Sequence, residues 1–189
     1  MMRLAVFMAL AGMVASSAQA EPVAELPSAV ATFERVCLSG GVDAAARPVA
    51  LASAGWTKDA SLSVSVDKLG ISRSINKNYD FSKPEAAEQW SATVDNRPAR
   101  VVLASFPVKR RYAHLCALVV DDVANAMPYA DSLKVAFKTF GIGGKSVDLV
   151  HYFEFAGKIA PERHPVRGEV FTRSLASGAK NSMHIYVAY

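Results

Sequence analysis

The sequence predicts an α+β domain over residues 28–189, in which a mainly antiparallel sheet of about five to seven strands is covered by two N-terminal helices and one later helix. Three observations lead to this fold class. Apolar residues recur at helical spacing in two stretches, Ser28–Leu38 and Tyr129–Phe140. Alternating apolar and polar runs fill most of the remaining chain. Turn-forming residues, such as those of Asp95–Pro98, separate these runs and indicate antiparallel connections.

Residues 1–20 have the layout of a secretory signal peptide. One basic residue, Arg3, precedes the apolar run Leu4–Ala15, and the small residues Ala18 and Ala20 fit the pockets of a signal peptidase. The apolar run is shorter than the roughly 20 residues that a membrane span requires. We therefore expect an export signal rather than an anchor.

Cleavage is expected between Ala20 and Glu21, followed by a short flexible lead-in over 21–27. No cysteine lies at the cleavage site, and no second apolar segment reaches membrane-spanning length. The predicted location is therefore periplasmic or secreted, without a membrane span after processing. The formal net charge of +4 is too small to indicate a nucleic-acid partner. Charged residues make up 20% of the chain and hydrophobic residues 51%, which excludes a disordered protein.

The first helix is predicted to begin at Ser28, a suitable N-cap, and to end at Gly40-Gly41. Its inward face carries apolar residues at the spacings i, i+3, i+7 and i+8, namely Val30, Phe33, Cys37 and Leu38. A second helix is predicted over Pro48–Ala54, with Trp56 as a core residue beyond its end.

The third helix carries the longest apolar stripe, formed by Tyr129, Leu133, Ala136, Phe137 and Phe140, with Pro128 in its first turn. A short helix is also predicted after Ser82, because Ser82 and Glu85 have the spacing of a capping box. Alternation predicts strands at Ser61–Val66, Trp90–Val94, Arg100–Phe106, Tyr112–Val120, Val147–Phe155, Glu169–Leu175 and Met183–Tyr189. The strand Tyr112–Val120 is apolar on both faces and is expected at the centre of the sheet.

Cys37 and Cys116 are the only cysteines of the chain. In an exported protein such a pair predicts a disulfide, which would tie the first helix to the central strand. A buried pair of free thiols and an intermolecular bond are the alternatives. Two cysteines alone form neither a zinc site nor a Cys-x-x-Cys redox centre.

The chain resembles a group of exported, two-cysteine, single-domain proteins of proteobacteria. Four features carry the resemblance: the spacing of Phe33 and Cys37, the Ala54–Trp56 helix end, the Cys116 strand and the helix that stops at Gly141. This group has no assigned activity, so the resemblance implies a periplasmic or secreted setting and transfers no functional residue.

No catalytic or metal-binding motif is recognised. The segment Gly141–Ser146 ends in Gly-Lys-Ser, but Thr139 stands where a P-loop needs glycine, so a helix stop and a turn are expected. The histidines have no metal-ligand spacing. His151 is expected on an apolar strand face, His164 in a polar loop over Pro161–Gly168, and His184 opposite Met183 and Ile185.

Basic residues in two predicted turns are candidates for anion binding: Lys109, Arg110, Arg111, Arg163 and Arg167. Solvated turns that keep a sheet end from aggregating are the alternative interpretation. Asp121 and Asp122 are expected to cap the approach to the third helix.

These patterns favour a soluble, exported binding or interaction protein that is not an enzyme and needs no cofactor. Its expected partner is an envelope protein or an anionic envelope ligand. Two alternatives stay open: a periplasmic hydrolase that uses His151 or His164, and a small protein inhibitor or immunity-type partner.

Overall fold

A computed structural model shows a mainly antiparallel sheet with helices packed on one face, which confirms the α+β class. The structure describes residues 28–39, 43–63, 84–107, 113–123, 125–139, 143–145, 151–159, 164–174 and 181–189. The sequence prediction of five to seven strands is too low, because the described residues form an 8-stranded sheet.

Three α-helices lie in the described part of the chain. Helix α1 is Ser28–Phe33, α2 is Ala46–Ser53 and α3 is Met127–Thr139, and α1 continues directly into a π-helical segment, Glu34–Leu38. The strands are β1 Thr57–Lys58, β2 Ala86–Val94, β3 Arg97–Ser105, β4 His114–Val120, β5 Gly143–Lys145, β6 His151–Ile159, β7 His164–Ser174 and β8 Asn181–Ala188.

The strands follow the order β1-β2-β3-β4-β8-β7-β6-β5, and every neighbouring pair is antiparallel. Val94 pairs with Arg97 across the β2–β3 hairpin, so Asp95 and Asn96 form its two-residue loop. Both loop residues have positive φ, 52° and 58°, as a primed hairpin turn requires. The turn predicted at Asp95–Pro98 is therefore confirmed, with Pro98 already inside β3.

The hairpin loop also holds the start of α1. The Ser28 hydroxyl donates to one Asp95 carboxylate oxygen, and the Ala29 N–H donates to the other at 3.4 Å. Ser28 is thus the first helical residue rather than the N-cap. Asp95 places a negative charge at the helix N-terminus, where the backbone dipoles favour it.

Strand β4 lies at the centre of the sheet, as predicted. Cys116, Leu118 and Val120 belong to the core beneath the helices, while Leu115, Ala117 and Val119 belong to a second apolar cluster on the opposite face. All six side chains are at most 1% exposed. The sheet therefore buries both of its faces at this strand.

The predicted disulfide is present and joins the π-helical segment to β4. Cys37 and Cys116 are bonded with a Cα–Cα distance of 5.6 Å, and both are completely buried. Phe33 and Leu38 lie buried in the same core, as their helical spacing predicted. This cluster around Cys37, Cys116, Phe33, Leu38 and Leu118 is called the disulfide core below.

Helices α2 and α3 also agree with the sequence. Helix α2 begins two residues before Pro48, so proline occupies the first turn, where its missing N–H costs no helical hydrogen bond. Trp56 is 6% exposed in the core. Leu133, Ala136 and Phe137 of α3 are buried, whereas Phe140 lies outside the described residues.

The prediction of a short helix after Ser82 is wrong, because the described residues that follow form a strand. Residues Ala86–Gln89 begin strand β2 and pair with Val102–Ser105 of β3. Pairing with β3 overrides the local capping signal, because cross-strand contacts count for more than intrinsic preference at a sheet position. The strand predicted over Ser61–Val66 is absent from residues 61–63, and residues 64–66 lie outside the described residues. The strand that precedes this segment is β1.

Two predicted loops also contain strand. His164–Gly168 belongs to β7, and Gly143–Lys145 forms β5 instead of a turn. Glycine and proline are typical strand breakers, but Gly143 lies on the edge strand β5, and Pro165 is the second residue of β7, where β6 pairs with it and the pairing with β8 has not begun. Among the residues that the structure describes, no helix combines the length and apolar character that crossing a membrane requires.

Candidate ligand-binding cavity

A cavity of about 620 Å³ opens at the end of the sheet where β2 begins and β8 ends. We call it the sheet-end cavity. Its walls come from the first turn of α2, the segment after β1, the start of β2, the end of β3 and the start of β4. The apolar wall residues are Ala44, Ala45, Pro48, Ala60, Leu62, Ala86, Ala87, Leu103, Ala104 and Leu115. The polar ones are Arg47, Lys58, Asp59, Ser61, Glu88, Gln89, Ser105, His114 and Tyr189.

Arg47 is a buried cation in this wall, with 1% of its surface exposed. Its Nε donates to the Val36 carbonyl and its Nη2 to the Cys37 carbonyl, each at 3.1 Å. Burial lowers the pKa of Arg47 to about 10, and the charge of Asp43 partly opposes that effect. The guanidinium therefore stays charged at neutral pH in surroundings that disfavour the charge.

Tyr189 lies between Arg47 and His114. The guanidinium carbon of Arg47 is 3.9 Å from the centre of the tyrosine ring, a cation–π contact. The rings of His114 and Tyr189 stack with their centres 5.4 Å apart. The Ala113 and His114 N–H groups both donate to the Tyr189 carbonyl, so the last residue of the chain is held against β4.

The opposite side of the cavity carries an ion pair between the edge strand β1 and its neighbour β2. Lys58 Nζ lies 2.5 Å from Glu88 Oε2, and it is 5.9 Å from the centre of the Trp90 ring. The Trp90 indole N–H donates to the other Glu88 oxygen at 3.1 Å. Lys58 and Glu88 therefore neutralise each other, and each of them also contacts Trp90.

A second cavity, of about 550 Å³, adjoins the first, since Lys58–Ser61 and Gln89 line both. We call it the polar cavity. Asp59 accepts hydrogen bonds from the Ser91 hydroxyl at 2.6 Å and from the Gln89 amide. The Gln89 carbonyl oxygen accepts from the Ser63 N–H and hydroxyl, each at 3.1 Å. The hydrogen bonds from Ser91 and Gln89 lower the pKa of Asp59.

Arg100 lines the far side of the polar cavity. Its guanidinium pairs with Asp121, whose carboxylate also accepts the Ser182 hydroxyl at 2.9 Å. Asp121 thus belongs to a hydrogen-bonded network with Arg100 and Ser182, and the helix-capping role predicted for Asp121 is wrong. Asn125 takes that place, because its side-chain oxygen accepts the N–H of Met127 at the start of α3.

The polar cavity contains a hydroxyl–carboxylate contact, between Ser91 and Asp59. The Ser91 hydroxyl donates to the Asp59 carboxylate, as Ser28 does to Asp95 and Ser182 to Asp121. A carboxylate whose pKa is lowered is a poor general base near neutral pH. In the described part of the chain no group of three His, Cys, Asp or Glu side chains could hold a metal ion.

The basic residues predicted to bind anions are not part of either cavity wall as described. Lys109, Arg110, Arg111 and Arg163 lie outside the described residues. Arg167 is half-buried on β7, at the register position between Ala156 of β6 and Ala188 of β8. Anion binding by these residues stays a prediction.

The histidines occupy three different settings. His114 lines the sheet-end cavity, and His184 is completely buried and stacks on Phe171 at 4.6 Å between ring centres. His151 pairs with Phe171 next to a register shift, so the regular alternation assumed for its strand is interrupted. His164 begins β7 rather than lying in a loop.

Sequence patterns did not point to Arg47, Gln89 or Tyr189. Arg47 is a single basic residue in an alanine-rich helix, and Gln89 fell in a segment whose fold was predicted incorrectly. The one available signal was the position of Arg47 directly before Pro48, where the second helix was predicted to begin. Their convergence depends on the sheet register.

Comparison of the chain with protein-family models, with curated proteins and with solved structures finds no match in any of the three. The function is therefore argued from the cavity and the chemistry of its walls.

Proposed function

We propose that this protein is an exported, non-enzymatic binding protein that takes a small organic ligand in the sheet-end cavity. The observation that carries the proposal is the cavity itself. Its volume of about 620 Å³ falls within the range of roughly 300–1,000 Å³ that is typical of small-molecule sites. Such sites combine an apolar lining with a few placed polar groups, and this wall has both.

The rigidity of the surroundings supports a binding role. Arg47 is anchored by two backbone carbonyls of the π-helical segment, next to the disulfide at Cys37. Gln89 is 2% exposed and bonded to Asp59 and Ser63. Polar groups held in this way meet a ligand without losing side-chain freedom, which reduces the entropic cost of binding.

Export is part of the proposal. Its support is the signal-peptide pattern of residues 1–20 together with the disulfide, a bond that oxidising compartments maintain. The setting implied by the resemblance, periplasmic or secreted, agrees with this. The earlier expectation of an anionic envelope ligand can then be tested on the cavity as well as on the basic turns.

The test is a fragment screen by protein-observed NMR on the isotopically labelled, oxidised protein. We expect several fragments to shift the amide signals of Ala60, Ala86 and Leu103, because these residues lie on three different walls of the cavity. Fragments recovered unchanged by mass spectrometry after long incubation would agree with a non-enzymatic role. Turnover of a fragment would contradict that role.

Two tryptophan substitutions on the same strand distinguish binding in the sheet-end cavity from binding elsewhere on the surface. Ala86 and Thr93 are both exposed on β2, but Ala86 alone of the two lines the sheet-end cavity. Ala86→Trp should fill the cavity and abolish the shifts, whereas Thr93→Trp should leave them intact. Binding that survives Ala86→Trp, or a screen without a cavity-directed fragment, would refute the proposed site.

A further inference from the structure

We propose that the ligand of the sheet-end cavity is a short peptide with apolar side chains, which binds in an extended conformation as an added strand along the start of β2. This inference rests on the proposed binding function and assigns the chemical class of the ligand. Three observations carry it: the position of the cavity in the sheet, the direction of the backbone groups of Ala87, and the composition of the cavity wall.

The position of the cavity is the first observation, because the cavity lies where the pairing between β1 and β2 stops. The last backbone contact of that pairing is the hydrogen bond from the Asp59 N–H to the Gln89 carbonyl, at 2.9 Å. Continued pairing in the same register would place residues 60–62 opposite residues 86–88. The described strands show no such pairing, and both segments line the cavity instead. The cavity therefore lies beside the part of β2 that β1 leaves uncovered.

The direction of the Ala87 backbone groups is the second observation. In an antiparallel sheet, successive residues direct their N–H and C=O groups alternately to the two neighbouring strands. The Gln89 carbonyl faces the β1 side, since it accepts the Asp59 N–H there, and Ala87 lies two residues before it on β2. None of the described residues pairs with Ala87 on that side. Its N–H and C=O are thus a donor and an acceptor at the sheet edge, beside the cavity.

An extended peptide supplies the groups that match this edge. One residue of an added antiparallel strand donates its N–H to the residue opposite and accepts that residue's N–H, so Ala87 can form both bonds with a single ligand residue. Uncovered strand edges are templates for pairing with another chain. In this mode of recognition the main-chain hydrogen bonds supply affinity, and the pockets for side chains supply specificity.

The composition of the wall is the third observation and indicates the side chains of the peptide. Leu62, Leu103 and Leu115 line the cavity together with several alanines, and the nearby Lys58 and Glu88 are bonded to each other. Successive side chains of a strand point to opposite faces of the sheet. Leu103 and Leu115 belong to the apolar clusters on those two opposite faces. Apolar side chains therefore find apolar contacts on either side of the added strand.

The first experiment measures hydrogen exchange on the oxidised, isotopically labelled protein. The probe is the tightest binder from a mixture of all acetylated tripeptide amides that contain only alanine, valine, leucine and phenylalanine. At saturation we expect the Ala87 amide to exchange about tenfold more slowly, because its N–H is then hydrogen-bonded to the peptide. The Thr93 amide is the internal control, since Thr93 faces the same side of β2 and lies outside the sheet-end cavity. Its exchange rate should not change.

The second experiment tests the same pairing from the ligand side. Two analogues of the peptide each replace one amide N–H by an ester oxygen, at the second or at the third residue. Only alternate residues of a strand direct their N–H groups to β2, so one analogue should bind about fivefold more weakly than the other. Calorimetry measures both affinities.

A matched pair of variants tests the protein side. Ala87→Pro removes the N–H at the sheet edge and leaves the hydrogen bonds between β2 and β3 in place, because proline is tolerated where the N–H faces away from the ladder. It should weaken binding of the peptide about fivefold. Thr93→Pro makes the same change at the other end of β2 and should leave binding unchanged. If Ala87→Pro does not fold, the exchange rates and the ester analogues decide.

The outcomes separate this inference from the proposed function. An unchanged exchange rate at Ala87 in the saturated complex overturns the added strand, and equal affinity of the two ester analogues overturns it as well. If no peptide of the mixture binds while fragments shift the cavity signals, the peptide assignment is wrong and the cavity remains a site for other small molecules. The fragment screen thus decides the binding function independently.

Discussion

The disulfide core and the sheet-end cavity lie on adjacent parts of the same sheet and are built in opposite ways. In the disulfide core, the side chains of Phe33, Cys37, Cys116 and Leu118 are completely buried and belong to one hydrophobic cluster. The sheet-end cavity leaves about 620 Å³ unfilled and places a buried arginine in its wall. The disulfide core is thus close-packed, as protein interiors normally are, whereas the cavity opens to the surface.

Arg47 connects the two regions. Its side chain lines the cavity, and the carbonyl of Cys37 accepts one of its hydrogen bonds. The disulfide therefore stabilises the segment that positions the cation. Under the proposed binding function, the rigidity of this dense region would hold the cavity wall in place for a ligand.

The largest expected effect comes from removing the disulfide. The double variant Cys37→Ala, Cys116→Ala should lose about 4.5 kcal/mol of unfolding free energy, because the bond closes a loop of 79 residues in sequence separation. Urea denaturation measures the loss. Reductant should destabilise the unmodified protein similarly and leave the double variant unaffected. A loss below about 1 kcal/mol would show that the disulfide core does not depend on the bond.

A pair of leucine truncations compares packing in the two regions directly. Leu118→Ala should cost about 3 kcal/mol, because Leu118 is completely buried in the disulfide core. Leu62→Ala should cost less than about 0.5 kcal/mol, since Leu62 is 39% exposed on the cavity wall. Equal costs in thermal or urea denaturation would contradict the distinction between a dense and an open region.

The smallest expected effect is a pH dependence at Asp59. Its hydrogen bonds to Ser91 and Gln89 lower the pKa of Asp59 in the folded protein. A lowered folded pKa contributes stability that is present above the unfolded value of about 3.9 and is lost as the pH falls below it. Asp59→Asn should therefore flatten the acid limb of the stability curve slightly. Asp131→Asn, at an exposed position of helix α3, is the control, and an unchanged acid limb in Asp59→Asn would refute the linkage.

Much of the disulfide core could be predicted from the sequence. The spacing of Phe33, Cys37 and Leu38 identified the buried helix face, and the two-sided apolar pattern around Cys116 identified the central strand. These signals are local, because helical and strand periodicity repeat within a few residues. The bond between Cys37 and Cys116 was expected because they are the only cysteines of a chain predicted to be exported, with free thiols and an intermolecular bond as the alternatives.

The cavity could not be predicted in the same way. Gln89 was assigned to a short helix, and only pairing with Val102 in β3 makes its segment a strand. Likewise, the regular alternation of β6 is interrupted next to His151 by a shift in its register with β7, and the sequence pattern does not indicate that shift. Register is set by contacts between distant segments, so local periodicity does not determine it.

The sequence by itself determined the α+β class, the faces of the helices, the central strand and the pairing of the two cysteines. The first three follow from the period at which apolar residues recur, and the pairing from the presence of two cysteines in a chain expected to be exported. Only the tertiary structure decided that there are eight described strands and that Arg47, Gln89, His114 and Tyr189 surround one cavity. The physical reason is that a binding wall is assembled from strand ends and a helix start that are far apart in the chain, and their meeting depends on long-range pairing.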